Sequence, residues 1–273
     1  MESLRQRSEH ALRLYLKFIG IAIRSRMEYR SDFLIGMISV IILNVVNLSL
    51  IWVMVSRFRV LAGWQFWEIV MLYGMFLLSH SVYAVFFWHL STLEEDILHG
   101  RLDQYLVRPC SVLLQFLGRE VNYMGAADVV FATAAFSLAY RNLGLGWSAG
   151  QWALFAAAVA SGTVIETCLV WVIGMLAFWM GRSRVIFFIY MQFQVLGQQY
   201  PMDVFGKWFR IFVTGFVPVA FMNYYPLTQL LNKPNALGIA GLGFFSPVVA
   251  LILLALGSLT WRKGLAGYTS SGS

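Results

Sequence analysis

Five apolar runs, at 33–55, 67–90, 117–140, 152–180 and 237–261, are each long enough to cross a lipid bilayer, and a sixth at 184–200 falls just short. A helix rises 1.5 Å per residue, so a hydrocarbon core about 30 Å thick takes about 20 residues. Within lipid every backbone amide must be satisfied internally, which leaves helices or closed barrels. Unbroken apolar runs of this length, without the alternation of barrel strands, select helices. Composition agrees: 59% of the 273 residues are hydrophobic and 12% charged, about half the charge of an ordinary soluble domain. The ten Trp and the other aromatics gather near the ends of the runs, where amphipathic rings favour the water–lipid boundary. The expected fold class is therefore all-α, a polytopic integral membrane protein with six transmembrane helices.

The net charge of +7 does not mark a nucleic-acid binder, because the basic residues punctuate the apolar runs instead of clustering on a solvated face. They act as topology determinants. With alternate connections assigned to alternate sides, fourteen Lys and Arg fall on the side of the termini and six on the other. Both termini are thus expected in the cytoplasm, in a plasma-membrane protein whose partners include lipid and no nucleic acid. Cys110 and Cys168 form no CxxC or Cys/His ligand spacing, so neither a disulfide nor a structural zinc is expected. The segment before the first run lacks the short apolar core and cleavage site of a signal peptide, so the first span is expected to direct its own insertion.

Outside the spans, Leu12, Leu16, Ile19 and Ile23 make one helical stripe with Arg13, Lys17 and Arg24 elsewhere, which predicts an interfacial amphipathic helix within the N-terminal region 1–32. A plain charged lead-in to the first span is the simpler alternative. The segment 201–236 holds two apolar pieces too short to span, interrupted by Pro218 and Pro226, and is expected to be a re-entrant helical pair on the outer face. A seventh, poorly formed span would put the C-terminus outside and contradict the charge asymmetry. The transmembrane domain then runs over 33–261, followed by a cytoplasmic tail at 262–273.

No GxxxxGK[ST], HExxH or GxSxG motif occurs, so nucleotide binding by a phosphate loop and the common hydrolase chemistries are not expected in this chain. The longest cytoplasmic connection, 91–116, opens with Ser91 and Thr92 ahead of Glu94, Glu95 and Asp96, which suits the positive end of a helix. Gly100 permits that helix to end, and Pro109 starts the next element. Such an element can be presented to a partner.

The stretch ILHGRLDQYLVRP at 97–109 resembles the loop signature of the type-2 ABC exporter permeases, particularly their small six-span branch. YPMDVFGKWFRIFVTGFVPVAFMNYYP at 200–226 and the ending GLAGYTSSGS are similar to the outer segment and tail of the same branch. The resemblance implies a transmembrane permease subunit of an ATP-driven exporter. Two such subunits, identical or homologous, would pair in the membrane above two cytoplasmic ABC ATPase subunits. ATP and Mg would belong to the ATPase, leaving this chain without a cofactor and without enzymatic activity. It further implies that Glu94, Glu95, Asp96, Leu98, Gly100, Leu102, Asp103, Tyr105, Leu106, Arg108 and Pro109 lie at or beside the docking surface of a coupling helix.

Polar groups inside the runs are the candidates for a substrate pathway. Asn44 and Asn47 share one face of the first span. His80 lies near the middle of the second, Asp128 within the third and Glu166 near the middle of the fourth. For Asn44, Asn47 and His80 the alternative is interhelical hydrogen bonding. A mid-membrane carboxylate must face protein or water. Glu166 therefore either meets a cationic or amphiphilic substrate or serves as a neutral hydrogen-bond donor. The same ionisable residues admit a second function, an ion-coupled secondary transporter relaying protons through Glu166, Asp128 and His80. That alternative calls for inverted repeats and paired broken helices, whereas only one broken region is present. A membrane scaffold without transport activity would lack a nucleotide-binding partner.

Overall fold

The computed structural model describes the backbone of residues 30–58 and 61–269 and the side chains of 34–57 and 61–269. The amphipathic stripe expected over 12–23 lies outside the described residues. Among the described residues twelve α-helices follow in order: α1 Arg30–Phe58, α2 Phe66–Phe86, α3 Leu93–Leu98, α4 Asp103–Leu106, α5 Val112–Leu117, α6 Gly125–Asn142, α7 Ala149–Met175, α8 Ala177–Met180, α9 Arg184–Gln199, α10 Lys207–Gly215, α11 Tyr224–Leu230 and α12 Ser246–Ala266. Short 3-10 turns occur at Trp88–Thr92, Met202–Val204, Val219–Phe221 and Leu242–Phe245. Among the described residues there is no strand, only a single bridge between Leu61 and Trp64.

Among the described residues four helical stretches are long and apolar enough to span: Leu34–Arg57, Phe66–Phe86, Ala149–Met180 and Leu242–Ala266. A fifth is reached if Lys207–Gly215 and Val219–Leu230, bent by 77°, count as one. The other two expected spans are helical but do not meet that standard. Of the run 117–140, only the part from Gly125 is in the long helix, because Gly118 ends α5 and Arg119 and Glu120 turn into the preceding loop. The resulting helix has 18 residues and carries Asp128 and Arg141. At 16 residues α9 reaches only about 24 Å.

Helix ends follow local chemistry. Ser148 and Gln151 cap α7 reciprocally, with Gln151 N donating to Ser148 Oγ at 3.4 Å and Ser148 N donating to Gln151 Oε1 at 3.0 Å. The last run starts its helix nine residues later than expected, at Ser246 rather than 237, since Gly238 and Gly241 adopt φ of +70° and +78°. Pro247 then sits in the first turn, where its missing N–H costs nothing.

α2 is the axis of the bundle, buried over most of its length and packed by α6, α7, α1 and α9. Gly74 lets it approach α6 closely, for a Cβ there would lie 3.1 Å from Phe136 N. α12 packs on α7 with Gly257 against the Trp171 ring. α1 and α12 carry the opposite character and expose apolar side chains such as Ile35, Leu43, Leu251 and Leu259 outward, as lipid-facing helices do.

At the end of α2 marked by Trp64, a polar network secures the bent pair. Asp203 Oδ2 accepts from Trp64 Nε1 at 2.7 Å and from the Tyr224 hydroxyl at 2.8 Å. Arg210 donates to the carbonyls of Phe205, Asp203 and Ala236. Lys233 Nζ reaches Glu68 Oε2 at 2.5 Å and lies over the Trp64 ring. These bonds supply the irregular backbone of 201–236 with partners from the chain itself, the condition for broken helices near a membrane.

Candidate functional site

Inside the bundle two polar groups form from residues far apart in sequence. α2, α7 and α9 bring His80, Glu166 and Gln194 together: His80 Nδ1 lies 2.6 Å from Glu166 Oε1, and Gln194 Nε2 donates to the same oxygen. Glu166 is wholly buried and its Oε2 has no partner among the described residues. α1, α2 and α6 form the second group, in which Asn44 Nδ2 donates to Asp128 Oδ1 at 2.7 Å and the Tyr73 hydroxyl donates to Asn44 Oδ1 at 2.5 Å. Asn47 accepts from Gln199 Nε2 at 3.3 Å.

A cavity of about 330 Å³ lies between α1, α2, α6 and α9. Its polar lining is Asn44, His80, Asn122, Asp128, Gln194 and Gln198, and its apolar walls include Phe76, Trp88 and Met191. The structure therefore brings Asn44, His80 and Asp128 to one space and leaves Asn47 and Glu166 out of it. Glu166 stands behind His80 and Gln194, so it orients groups that face the cavity instead of facing it. Asp128 sits in the first turn of α6 because that helix begins at Gly125.

Gln194 and Gln198 were not among the residues picked out by sequence. Two amides four residues apart inside an apolar run share a helix face, and that spacing was the available signal. Trp88 and Asn122 gave none, since both follow breaks in the helices.

The connection 91–116 folds into the turn Trp88–Thr92 and helices α3, α4 and α5. Gly100 takes φ +67°, as the chain reversal after α3 requires. Thr92 occupies the cap position, yet its hydroxyl makes no cap bond. It donates to His89 O at 2.8 Å and accepts from Arg119 Nη2 at 3.1 Å. Two of the three acids of α3 turn inward, and the third, Glu95, stays half-exposed. Asp96 is buried against Arg119 Nη1 at 2.6 Å, Glu94 accepts from Ser183 Oγ at 3.2 Å, and Glu95 faces Arg184 at 3.6 Å. Leu93, Ile97, Leu102 and Tyr105 are buried beneath them. The loop exposes Leu98, His99, Arg101, Gln104 and all of 106–111, with Val107 84% exposed. Of the residues grouped as a docking surface, Glu94, Asp96, Leu102 and Tyr105 thus form its foundation, and Leu98, Leu106, Arg108 and Pro109 its face. Gly100 and Asp103 are half-buried between the two layers.

Burial and the positive charge of Arg119 together hold the His89 imidazole neutral, lowering its pKa to about 4. No group of three or more His, Cys, Asp or Glu able to hold a metal ion occurs among the described residues.

An all-helical, multi-pass membrane chain with a polar cavity inside its bundle and a compact helical loop at one end is built as a membrane-transport component. The chain belongs to the ABC-2 family of transporter proteins, whose family model matches residues 41–272. It is accordingly a membrane permease of an ABC transporter. No curated protein and no solved structure matches the chain.

Proposed function

We propose that the chain is one half of the membrane core of an ATP-driven exporter, paired with a second permease subunit, identical or homologous, and driven by separate ABC ATPase subunits that bind ATP and Mg. The observation that carries this reading is the loop 91–116, whose acids Glu94 and Asp96 are consumed internally while an apolar and basic tip faces outward. A tip of that kind suits a groove on a partner, with Leu106 and Val107 as anchors and Arg101 and Arg108 steering the encounter. Loop movement reaches the cavity directly, because Trp88 opens the loop and lines the cavity. In this reading α6 and α9 also cross the membrane, giving six spans, and the bilayer thins to match the shorter α9. The bent pair at 201–236 is re-entrant from the outer face, and both termini are cytoplasmic in the plasma membrane.

The test is copurification from the native membrane followed by ATP hydrolysis. The wild-type chain is expected to bring down a subunit carrying GxxxxGK[ST], and Val107→Glu to lose most of that association while still inserting and folding. Recovery of the V107E complex at wild-type yield with full substrate-stimulated hydrolysis would remove the docking assignment. One observation favours a second reading, ion-coupled transport: the His80–Glu166 contact stands beside Asp128. Purified protein in vesicles that moves substrate under a proton gradient without nucleotide would support it over the exporter.

A further inference from the structure

We propose that the cavity between α1, α2, α6 and α9 is a binding site for an organic cation, an ammonium or similar group on a small apolar body, with Asp128 as its counter-charge. The proposal rests on the permease reading for its role in transport, but the binding site stands on geometry. Asp128 is only half-buried, lines the cavity, and the one hydrogen bond to its carboxylate among the described residues comes from the neutral amide of Asn44. No Lys or Arg is among the described residues lining the cavity. The imidazole of His80 shares the cavity, but its hydrogen bond goes to Glu166 and not to Asp128. A carboxylate inside a membrane, bonded only to a neutral amide in a cavity without Lys or Arg, is matched by a cation brought by the ligand.

The remaining walls fit the rest of such a ligand. Trp88 and Phe76 present aromatic rings, which attract cations through their quadrupole. Leu43, Leu77, Met191 and Val195 take apolar surface, and Met adapts to varied shapes. The amides of Gln194, Gln198 and Asn122 can orient polar substituents. At about 330 Å³ the space suits a compact ligand near the lower limit of small-molecule sites. An anionic ligand would meet Asp128 and find no basic partner among the described lining.

The binding measurement uses the purified full chain in a choline-free detergent with radiolabelled benzyltrimethylammonium. Its neutral isostere, neopentylbenzene, has a carbon in place of the nitrogen, and benzylsulfonate carries the opposite charge. Wild-type protein is expected to bind the cation, to release it poorly to the neutral isostere and not at all to benzylsulfonate. Asp128→Asn keeps the shape and an oxygen for Asn44, and is expected to weaken cation binding about tenfold or more, the scale of one lost charged contact. Asp128→Glu should recover much of it. Trp88→Leu should weaken the cation more than the isostere. Competition by a short-chain phosphatidylcholine below its micellar concentration would identify the cation as a lipid headgroup, and absence of competition as a free solute.

Equal binding of the cation and its isostere by the wild type, no binding of either, or undiminished binding by D128N overturns the proposal. Should D128N not fold, the wild-type preference between the isosteric pair still decides. The ATPase association described above is measured on the same preparations, so a cavity without cation preference in a chain that still binds its ATPase leaves the permease reading intact. A chain that prefers the cation but recruits no ATPase does the reverse.

Discussion

At the scale of single residues, the buried charges have different jobs, and burial with partner identity separates them. Asp96 is the foundation of the loop: it is almost wholly buried, and Arg119 reaches it at 2.6 Å while Arg101 lies farther away at 3.4 Å. Arg119→Met leaves that carboxylate buried with a weak partner and should cost about 3 kcal/mol, the scale for breaking a buried pair. Denaturant unfolding in detergent measures it, and a loss below about 0.5 kcal/mol would class the pair with ordinary surface bridges. His89 gives the same loop a pH dependence. Its pKa falls from 6.5 in the unfolded chain to about 4 in the fold, so the unfolded state binds the extra proton. Stability is full above about pH 6.5 and declines as pH falls towards 4, by about 2 kcal/mol at pH 5. His89→Phe, which keeps a ring against Phe116, should flatten the melting temperature between pH 7 and 5. An unchanged slope in that variant assigns the dependence to another group. Glu166 belongs to a third kind: Glu166→Gln retains an oxygen for Gln194 but removes the charge held against His80. It should alter transport or substrate preference without disturbing assembly, and unchanged transport of all substrates returns Glu166 to packing.

At the scale of elements, the runs read from sequence became helices where neither adjacent charges nor left-handed glycines interrupted them, as in α1, α2 and α7. Reading failed at Arg119 and Glu120, where a window average absorbed two charges that the fold uses in the loop. It failed again before α12, where Gly238 and Gly241 need left-handed backbone that an apolar window does not register. Within α3 the burial of Glu94 and Asp96 has no local signal, because the groups that turn them inward, Ser183 and Arg119, return from distant elements, while Glu95 stays half-exposed beside Arg184. Nor was the convergence of Trp64 on Asp203 legible, since a hydrogen bond between residues 139 apart leaves no local pattern. Close approach between elements makes its own prediction. A Cβ on Gly162 would lie 2.6 Å from Ser79 Oγ on α2 and 2.9 Å from the Met222 carbonyl, and the latter is backbone that cannot swing away. Gly162→Val should cost about 3 kcal/mol by overpacking and sharply reduce the yield of monodisperse protein. Gly215→Ala meets nothing within 4 Å and serves as the neutral control. Equal yields from the two variants would show that α2 and α7 can separate without penalty.

At the scale of the whole molecule, charge asymmetry and burial point the same way. The compact loop with Arg101, Arg108 and Arg119 follows the Phe86 end of α2, and the bent pair stitched by Asp203 and Arg210 is bonded to Trp64 at its other end. Retention of basic residues in the cytoplasm would orient the loop towards an ATPase and the bent pair outward. The protein carries its own probe of this arrangement, because Cys110 is exposed at the loop tip and Cys168 is buried in α7. A membrane-impermeant maleimide should leave Cys110 unmodified in intact cells and label it once the membrane is opened. For the other face Lys207 is the better position than Lys233, since Lys233 is committed to Glu68 and the Gly63 carbonyl whereas Lys207 is exposed at the start of α10. Lys207→Cys in a Cys110→Ser background should therefore label from outside intact cells at close to the full extent reached after permeabilisation. Labelling of both positions from the same side would contradict an odd number of crossings between them. Labelling of Cys110 from outside would place the loop beyond the reach of any cytoplasmic ATPase and remove the coupling role with it.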